Sequence, residues 1–477
     1  MVPRWVIEEM RSVDLHDKRL DERLRSVLSM LADRPAASIP EACGGRSEMT
    51  AAYRFFDNEK ADFQAILKSH REATDKRIAA QPVAILVQDT TEIDLTREVP
   101  VKGTGPLDGS RRGALLHLLH AFTRDGTPLG TVEAEAWTRG EEPINVHLTR
   151  AQRIATPIEE KESLRWVTTL ALARQAAARS PATQCICVAD SEADIYEVLD
   201  ATTVGGVDWI IRAAQNRALL PDEGSDLNLL RERVAESPEL SRHTIHVRAR
   251  KTKIPGETRG RRQPREARDA EVSVRAKKVT LRPPHRPDRE LAAVTLSAVL
   301  VVEVSPPPGE DPVEWLLLTN LPIDDLEQVR QVIEYYYLRW MIEVLFRVLK
   351  SGCRIEERRF EVLDRVLACL AVYLIVAWRT LYVCRLGRSY PDIDCEAVFE
   401  PAEWKATWKI VKGQDPPKTP PKLGVMVKLV ARLGGYVERP KSPPGPQTLW
   451  IGLQRVHDFA TCWERFGPES RRRRRDV

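Results

Sequence analysis

Three carboxylates in this chain stand where acids can do chemistry. Asp89 directly follows the apolar run VAILVQ and Asp190 directly follows CICVA. Glu343 lies much later, in the stretch YYYLRWMIEVLFRVLK, residues 335–350. Short continuous apolar runs closed by polar residues read as buried strands, and carboxylates at strand ends can share one site at a sheet edge. Three converging carboxylates with open coordination positions suit hard, oxygen-seeking cations such as Mg2+ or Mn2+. Two such ions can activate a nucleophile and stabilise a leaving oxygen, which is what phosphoryl transfer needs. Either aspartate alone serves equally well as a helix cap or turn residue. Glu92, Asp94, Glu192 and Asp194 are nearby rivals.

The stretch around Glu343 contains no Gly or Pro and reads as one helix. At about 100° per residue, Leu338, Met341, Ile342, Leu345 and Leu349 form a stripe that should face a core. Tyr336, Arg339, Glu343 and Lys350 gather within about 60° of each other on nearly the opposite side. That face is either a solvated surface with an Arg339–Glu343 pair, or the wall of a site.

The surrounding elements must position these groups. Residues 14–33 carry the apolar stripe Leu20, Leu24, Val27, Leu28 and Leu31, and 47–57 give a second helical piece, so the start reads as a small helical unit;. A strand is expected over about 83–88. LLHLLHAF and LGTVEAEAW, joined through the Asp-Gly of TRDGTP, read as an antiparallel hairpin;. A helix over 160–177, the strand ending at Asp190, a further helix and the strand VDWIIRA follow. This order is that of a ribonuclease-H-like α/β core. Residues 215–305 interrupt it with a polar, basic, β-rich insertion, and VEWLLLTN at 313–320 returns to a buried strand. Beyond residue 360 the pattern is mainly helical, to about 385 and again near 423–434 and 447–464.

Composition sets outer limits. The 477 residues are 43% hydrophobic and 30% charged, as in an ordinary globular chain with room for two to four domains;. The longest apolar run, VLACLAVYLIVAW, is too short to span a bilayer and reads as a buried helix; no signal-peptide pattern precedes it, so a cytoplasmic protein without a membrane partner is expected. The eight cysteines form no CxxC pair and the nine histidines lack ligand spacing, which argues for buried reduced thiols and against zinc;. His117 and His120, three apart on a strand, point to opposite faces. The net charge of +4 announces no nucleic-acid partner, but RARKTK, RGRRQPR, RAKKVTLR and the terminal RRRRRDV are basic clusters of the kind that meet phosphates;.

Several motifs in order resemble one family. Tyr336, Arg339, Glu343 and Lys350 match the signature Tyr-x2-Arg-x3-Glu-x6-Lys. Asp89-Thr90-Thr91 and DSEADI from Asp190 match its two aspartate motifs, and LHDKRLDERL, AYRFFDN, WLLLTN and ARLGGY extend the likeness over nearly the whole chain. The sequence resembles the bacterial cut-and-paste DDE transposases of the insertion-sequence-four family, of the transposon-five type. The resemblance implies a helical DNA-end-binding domain over 1–65, a ribonuclease-H-like catalytic domain over 66–360 with its β-rich insertion, and a helical dimerisation domain over 361–477. It implies Asp89, Asp190 and Glu343 as catalytic ligands of two divalent cations, Mg2+ with Mn2+ as substitute. Tyr336, Arg339, Lys350 and Arg212 would contact DNA, and Trp315 would stack a flipped base, although by residue type alone Trp315 is an ordinary strand-edge aromatic. Guanidinium forks and ammonium groups suit phosphate oxygens. Arg46, Tyr53 and Arg54 are candidates for end recognition. Ser191 replaces a family arginine, which leaves one local charge contact open. The partners implied are the terminal inverted repeats, target DNA and a second copy in a synaptic complex, with the protein on the nucleoid when bound. The reaction implied is strand nicking, hairpin formation and opening, and strand transfer. A non-transposing nuclease on the same fold, or a catalytically silent DNA-binding regulator, would share much of this pattern.

Overall fold

The computed structural model describes residues 2–141, 149, 152, 155–221, 227–247, 249, 265–438 and 443–468. The clusters RARKTK, RGRRQPR and RRRRRDV fall mostly or wholly outside these residues. In chain order the helices are α1 Arg4–Glu9, α2 Lys18–Asp33, α3 Ile39–Cys43, α4 Arg46–Phe56, α5 Phe63–Ala79, α6 Leu164–Arg179, α7 Tyr196–Thr202, α8 Leu230–Ala235, α9 Leu326–Tyr337, α10 Trp340–Arg347, α11 Leu363–Ser389, α12 Pro401–Lys412, α13 Leu423–Leu433 and α14 Pro446–Phe466. The strands are β1 Val83–Asp94, β2 Gly105–Pro106, β3 Arg112–Thr123, β4 Pro128–Trp137, β5 Gln184–Ala189, β6 Asp208–Arg212, β7 Ser241–Val247, β8 Arg268–Leu281, β9 Val294–Glu303 and β10 Glu314–Thr319. The chain divides into two compact units, one formed by 1–146, 179–183 and 340–477, the other by 147–178 and 184–339.

In the first unit β3 pairs antiparallel with β1 on one side, and with β2 and β4 on the other. The expected hairpin forms. Gly126 takes φ 82°, open to glycine at no steric cost, and the Thr123 amide donates to the Thr127 carbonyl at 2.9 Å;. α11 is the core of this unit. Its length and apolar character would fit a bilayer, but most of it is buried against α2, α5, β4 and α14. Asp17 caps α2 by accepting the Arg19 amide, and Leu24, Val27, Leu28 and Leu31 are buried as their spacing requires;. α12 carries no apolar stripe strong enough to be read from the sequence. It is set instead by Pro401 at its first turn and by a capping box between Glu400 and Glu403;.

In the second unit β5 runs parallel to β6, and β10, β9, β8 and β7 follow as an antiparallel series. The β-rich insertion therefore supplies β7, β8 and β9, which extend the sheet outward from β10. The helix expected over 335–350 is interrupted. The amides of Leu338 and Arg339 donate to the carbonyls three residues back, at 3.2 and 3.0 Å, a tight turn that closes α9 before α10 starts;. A π-helical turn over Val348–Gly352 then ends α10.

Candidate active site

In the second unit the strand register brings one group together. Ala189 pairs with Ile211, so Asp190 and Arg212 leave β5 and β6 side by side. Arg212 pairs with Leu317 of antiparallel β10, two residues from Trp315, which puts Trp315 at the same end of three adjacent strands. The end of α9 closes over them, with the rings of Trp315 and Tyr336 edge to face at 5.9 Å. Tyr336 is 2% exposed and Arg339 5% exposed, so neither lies on a solvated helix face. Packing of the α9 end against Trp315 covers Tyr336. Burial pushes the Tyr336 phenol above its ordinary value, opposed by the guanidinium groups of Arg339 and Arg212, with Asp190 adding to the rise. Asp190, Arg212, Tyr336 and Arg339 thus form one electrostatic neighbourhood, with Trp315 packed against Tyr336. The Asp190 carboxylate accepts the Glu192 amide at 2.8 Å, capping a short turn while remaining half-buried.

In the first unit Asp89 lies within β1 rather than at its end. The continuous buried run of the strand stops at Gln88, as its apolar pattern indicates, but pairing with β3 continues to Asp94 and Ile93 is buried again. Asp89 is opposite Leu118, and the neighbouring Thr90 hydroxyl lies 2.8 Å from His117 Nδ1. α10 packs against β1, which sets half-buried Glu343 and half-buried Asp89 on two touching elements. Leu338, Met341, Ile342, Leu345 and Leu349 are all buried, as expected. Lys350, in the π-helical turn, lies 3.4 Å from Glu356.

The rival acids are occupied. Asp194 is buried and grips Arg217 at 2.6 Å; Glu92 pairs with Arg111 at 2.8 Å; Asp94 accepts from Thr96; Glu192 pairs with Arg165 at 3.3 Å. The donor chemistry of Asp89, Asp190 and Glu343 is that of a hard divalent cation. Among the described residues, no three Asp, Glu, His or Cys side chains stand close enough to hold a metal ion by themselves. Arg19, Arg23, Arg46 and Arg54 of α2 and α4 line a groove of about 700 Å3. Tyr53 packs instead edge-on against Phe360 at 6.0 Å. Glu356 was not visible as a site residue in the sequence, since nothing in its spacing marks it.

Three family models match the chain: transposase DNA-binding over residues 3–61, transposase DDE domain over 144–378, and transposase Tn5 dimerisation domain over 375–466. The DDE match takes in Asp190 and Glu343 and begins after Asp89. Among solved structures the chain resembles a cryo-EM structure of the piggyBac transposase synaptic complex with hairpin DNA. Identity is 9%, with 81% of this chain and 72% of that one covered, at a TM-score of 0.36.

Proposed function

Because the chain belongs to the Tn5-like DDE transposases, we propose that it excises and integrates its element through nicking, hairpin formation and opening, and strand transfer, with Asp89, Asp190 and Glu343 as the catalytic acids. As a member it is a DNA transposase with a ribonuclease-H-like core. It binds DNA, forms dimers and depends on divalent metal. The observation that carries the finer reading is the convergence of Asp190, Arg212, Trp315, Tyr336 and Arg339 at one end of β5, β6 and β10.

In this reading Asp89, Asp190 and Glu343 would hold two Mg2+ ions, or Mn2+ in their place. When bound, the ions ease formation of the attacking oxygen and departure of the leaving one. Arg212, Arg339 and Lys350 bind strand phosphates, the guanidinium groups as forks and the ammonium as a point charge. Tyr336 donates its phenol proton to the same strand. Trp315 stacks a flipped base, which contributes roughly 1–3 kcal/mol and needs no particular base identity. Water breaks one strand at the element end and leaves a 3′-OH. That hydroxyl attacks the opposite strand, releasing flanking DNA and closing a hairpin. A second water opens the hairpin, and the restored 3′-OH attacks target DNA. The groove lined by Arg19, Arg23, Arg46 and Arg54 reads the terminal inverted repeat, and helices beyond 361 pair two copies in a synaptic complex. The regions 1–65, 66–360 and 361–477 divide these tasks, and the protein works in the cytoplasm on the nucleoid.

The test uses purified protein, Mg2+ and a linear duplex carrying the inverted repeat of its own element beside flanking DNA. Flank release with a hairpin on a denaturing gel is expected. Nicking without a hairpin would reduce the reading to a plain nuclease. Tight binding with no cutting in Mg2+ or Mn2+ would leave a silent regulator.

A further inference from the structure

Glu356 joins the two elements of the first unit that carry proposed catalytic acids. Its Oε1 lies 3.4 Å from the Lys350 ammonium, in the turn that follows the Glu343 helix. The same oxygen accepts the backbone amide of Asp94 at 3.1 Å, at the end of the strand that carries Asp89. Arg97 fixes the turn around it by donating to the Glu356 carbonyl at 3.3 Å and to the Arg358 carbonyl. The carboxylate is therefore anchored to β1, while the lysine it meets sits on a rotamer-rich stem.

Besides Arg97, the charges around this pair include Asp94, Glu92 and Arg111. Arg111 is already taken by Glu92 at 2.8 Å and lies 3.7 Å from Asp94. Burial would raise the Asp94 carboxyl, but Thr96, Arg111 and Lys350 hold it below its ordinary value. Lys350 thus pairs with Glu356 and also acts electrostatically on Asp94. The side chains of Lys350 and Glu356 are each 29% exposed, so the ammonium keeps a path to solvent. An ammonium has three N–H donors, and one charge contact at 3.4 Å leaves others for an incoming oxygen;.

We propose that Glu356 is a positioning residue that aims the Lys350 ammonium at a DNA phosphate by tying it to the end of β1. The inference rests on the reading of Lys350 as a phosphate ligand. Without the carboxylate the ammonium keeps its charge but loses its direction, so cleavage suffers more than binding.

The experiment is a double-mutant cycle with Glu356→Gln and Lys350→Ala, read as single-turnover cleavage and as binding of the end duplex. Glu356→Gln retains an oxygen to accept the Asp94 amide, and its thermal melting is measured alongside. Cleavage is expected to fall by about tenfold or more, the scale of a misdirected group, with much less change in binding. In the Lys350→Ala background the same substitution should add almost nothing. An equal loss in both backgrounds would make Glu356 merely structural and overturn the proposal. Faster cleavage or tighter binding by Glu356→Gln would overturn it as well, since Glu356 would then be a competitor that phosphate displaces. Lys350→Ala cleaving like the parent would instead sink the reading of Lys350 itself.

Discussion

At the scale of single residues, Glu9 is held by Arg77, whose terminal nitrogens reach its two oxygens at 2.8 and 3.0 Å, and by His70 at 2.5 Å. The Thr131 amide donates to His70 Nε2 at 3.0 Å, which puts the ring proton on Nδ1 and leaves the imidazole neutral;. Burial lowers the His70 pKa in the same sense. The positive partner of Glu9 is therefore Arg77, stacked 4.3 Å over Trp378. Burial alone would raise the Glu9 carboxyl, but the Arg77 guanidinium and the hydrogen bond from the neutral His70 ring hold it below its ordinary value. A carboxyl held below its unfolded value adds stability that is present above that value and is lost as pH falls below 4.5;. Arg77→Met should cost about 3–5 kcal/mol in urea unfolding near neutral pH, because it strands a buried charge. It should also flatten the acid dependence in that window; an unchanged unfolding midpoint would contradict the account. Among the proposed site residues, Asp89 and Asp190 stand out in the sequence because apolar runs stop just before them. Glu356 was not, because its contacts are made by a turn whose path no periodicity encodes.

At the scale of elements, periodicity gave the buried stripe of α10 and the strand up to Gln88. It missed the turn at Leu338–Arg339, since leucine and arginine carry no helix-stop signal;. It also cut β1 short, since Thr90–Asp94 is polar except for buried Ile93 yet paired to β3 throughout. α12 went unread although its capping box stood in the sequence, because its apolar stripe is weak. The meeting of α13 and α14 depends on glycine for space. A Cβ on Gly452 would stand 2.0 Å from the Val430 carbonyl oxygen, and one on Gly434 1.8 Å from that of Thr448. Gly452→Ala must push these helices apart and should cost about 1–3 kcal/mol, the range for overpacking. Thermal melting checks the loss, and sedimentation of the DNA complex should record weaker dimer formation. Parental melting and assembly would show that the crossing is not needed.

At the scale of the whole molecule, the net charge of +4 disclosed little about the partner. The ordered motifs disclosed far more, because each is tied to a particular chemical task. The compact units were not legible. Residues 1–146 and 340–477 belong to one and most of the segment between them to the other, an interleaving set by long-range contacts rather than by composition. The central claim is that Asp89, Asp190 and Glu343 act as one catalytic set. The measurement that tests it most directly is Mg2+-dependent cleavage of the end duplex by Asp89→Asn, Asp190→Asn and Glu343→Gln, each compared with its own binding to that duplex. Each variant should bind DNA like the parent and lose cleavage by about two orders of magnitude or more, the scale of removing a transition-state charge stabiliser. Any one of the three cleaving at the parental rate would contradict it.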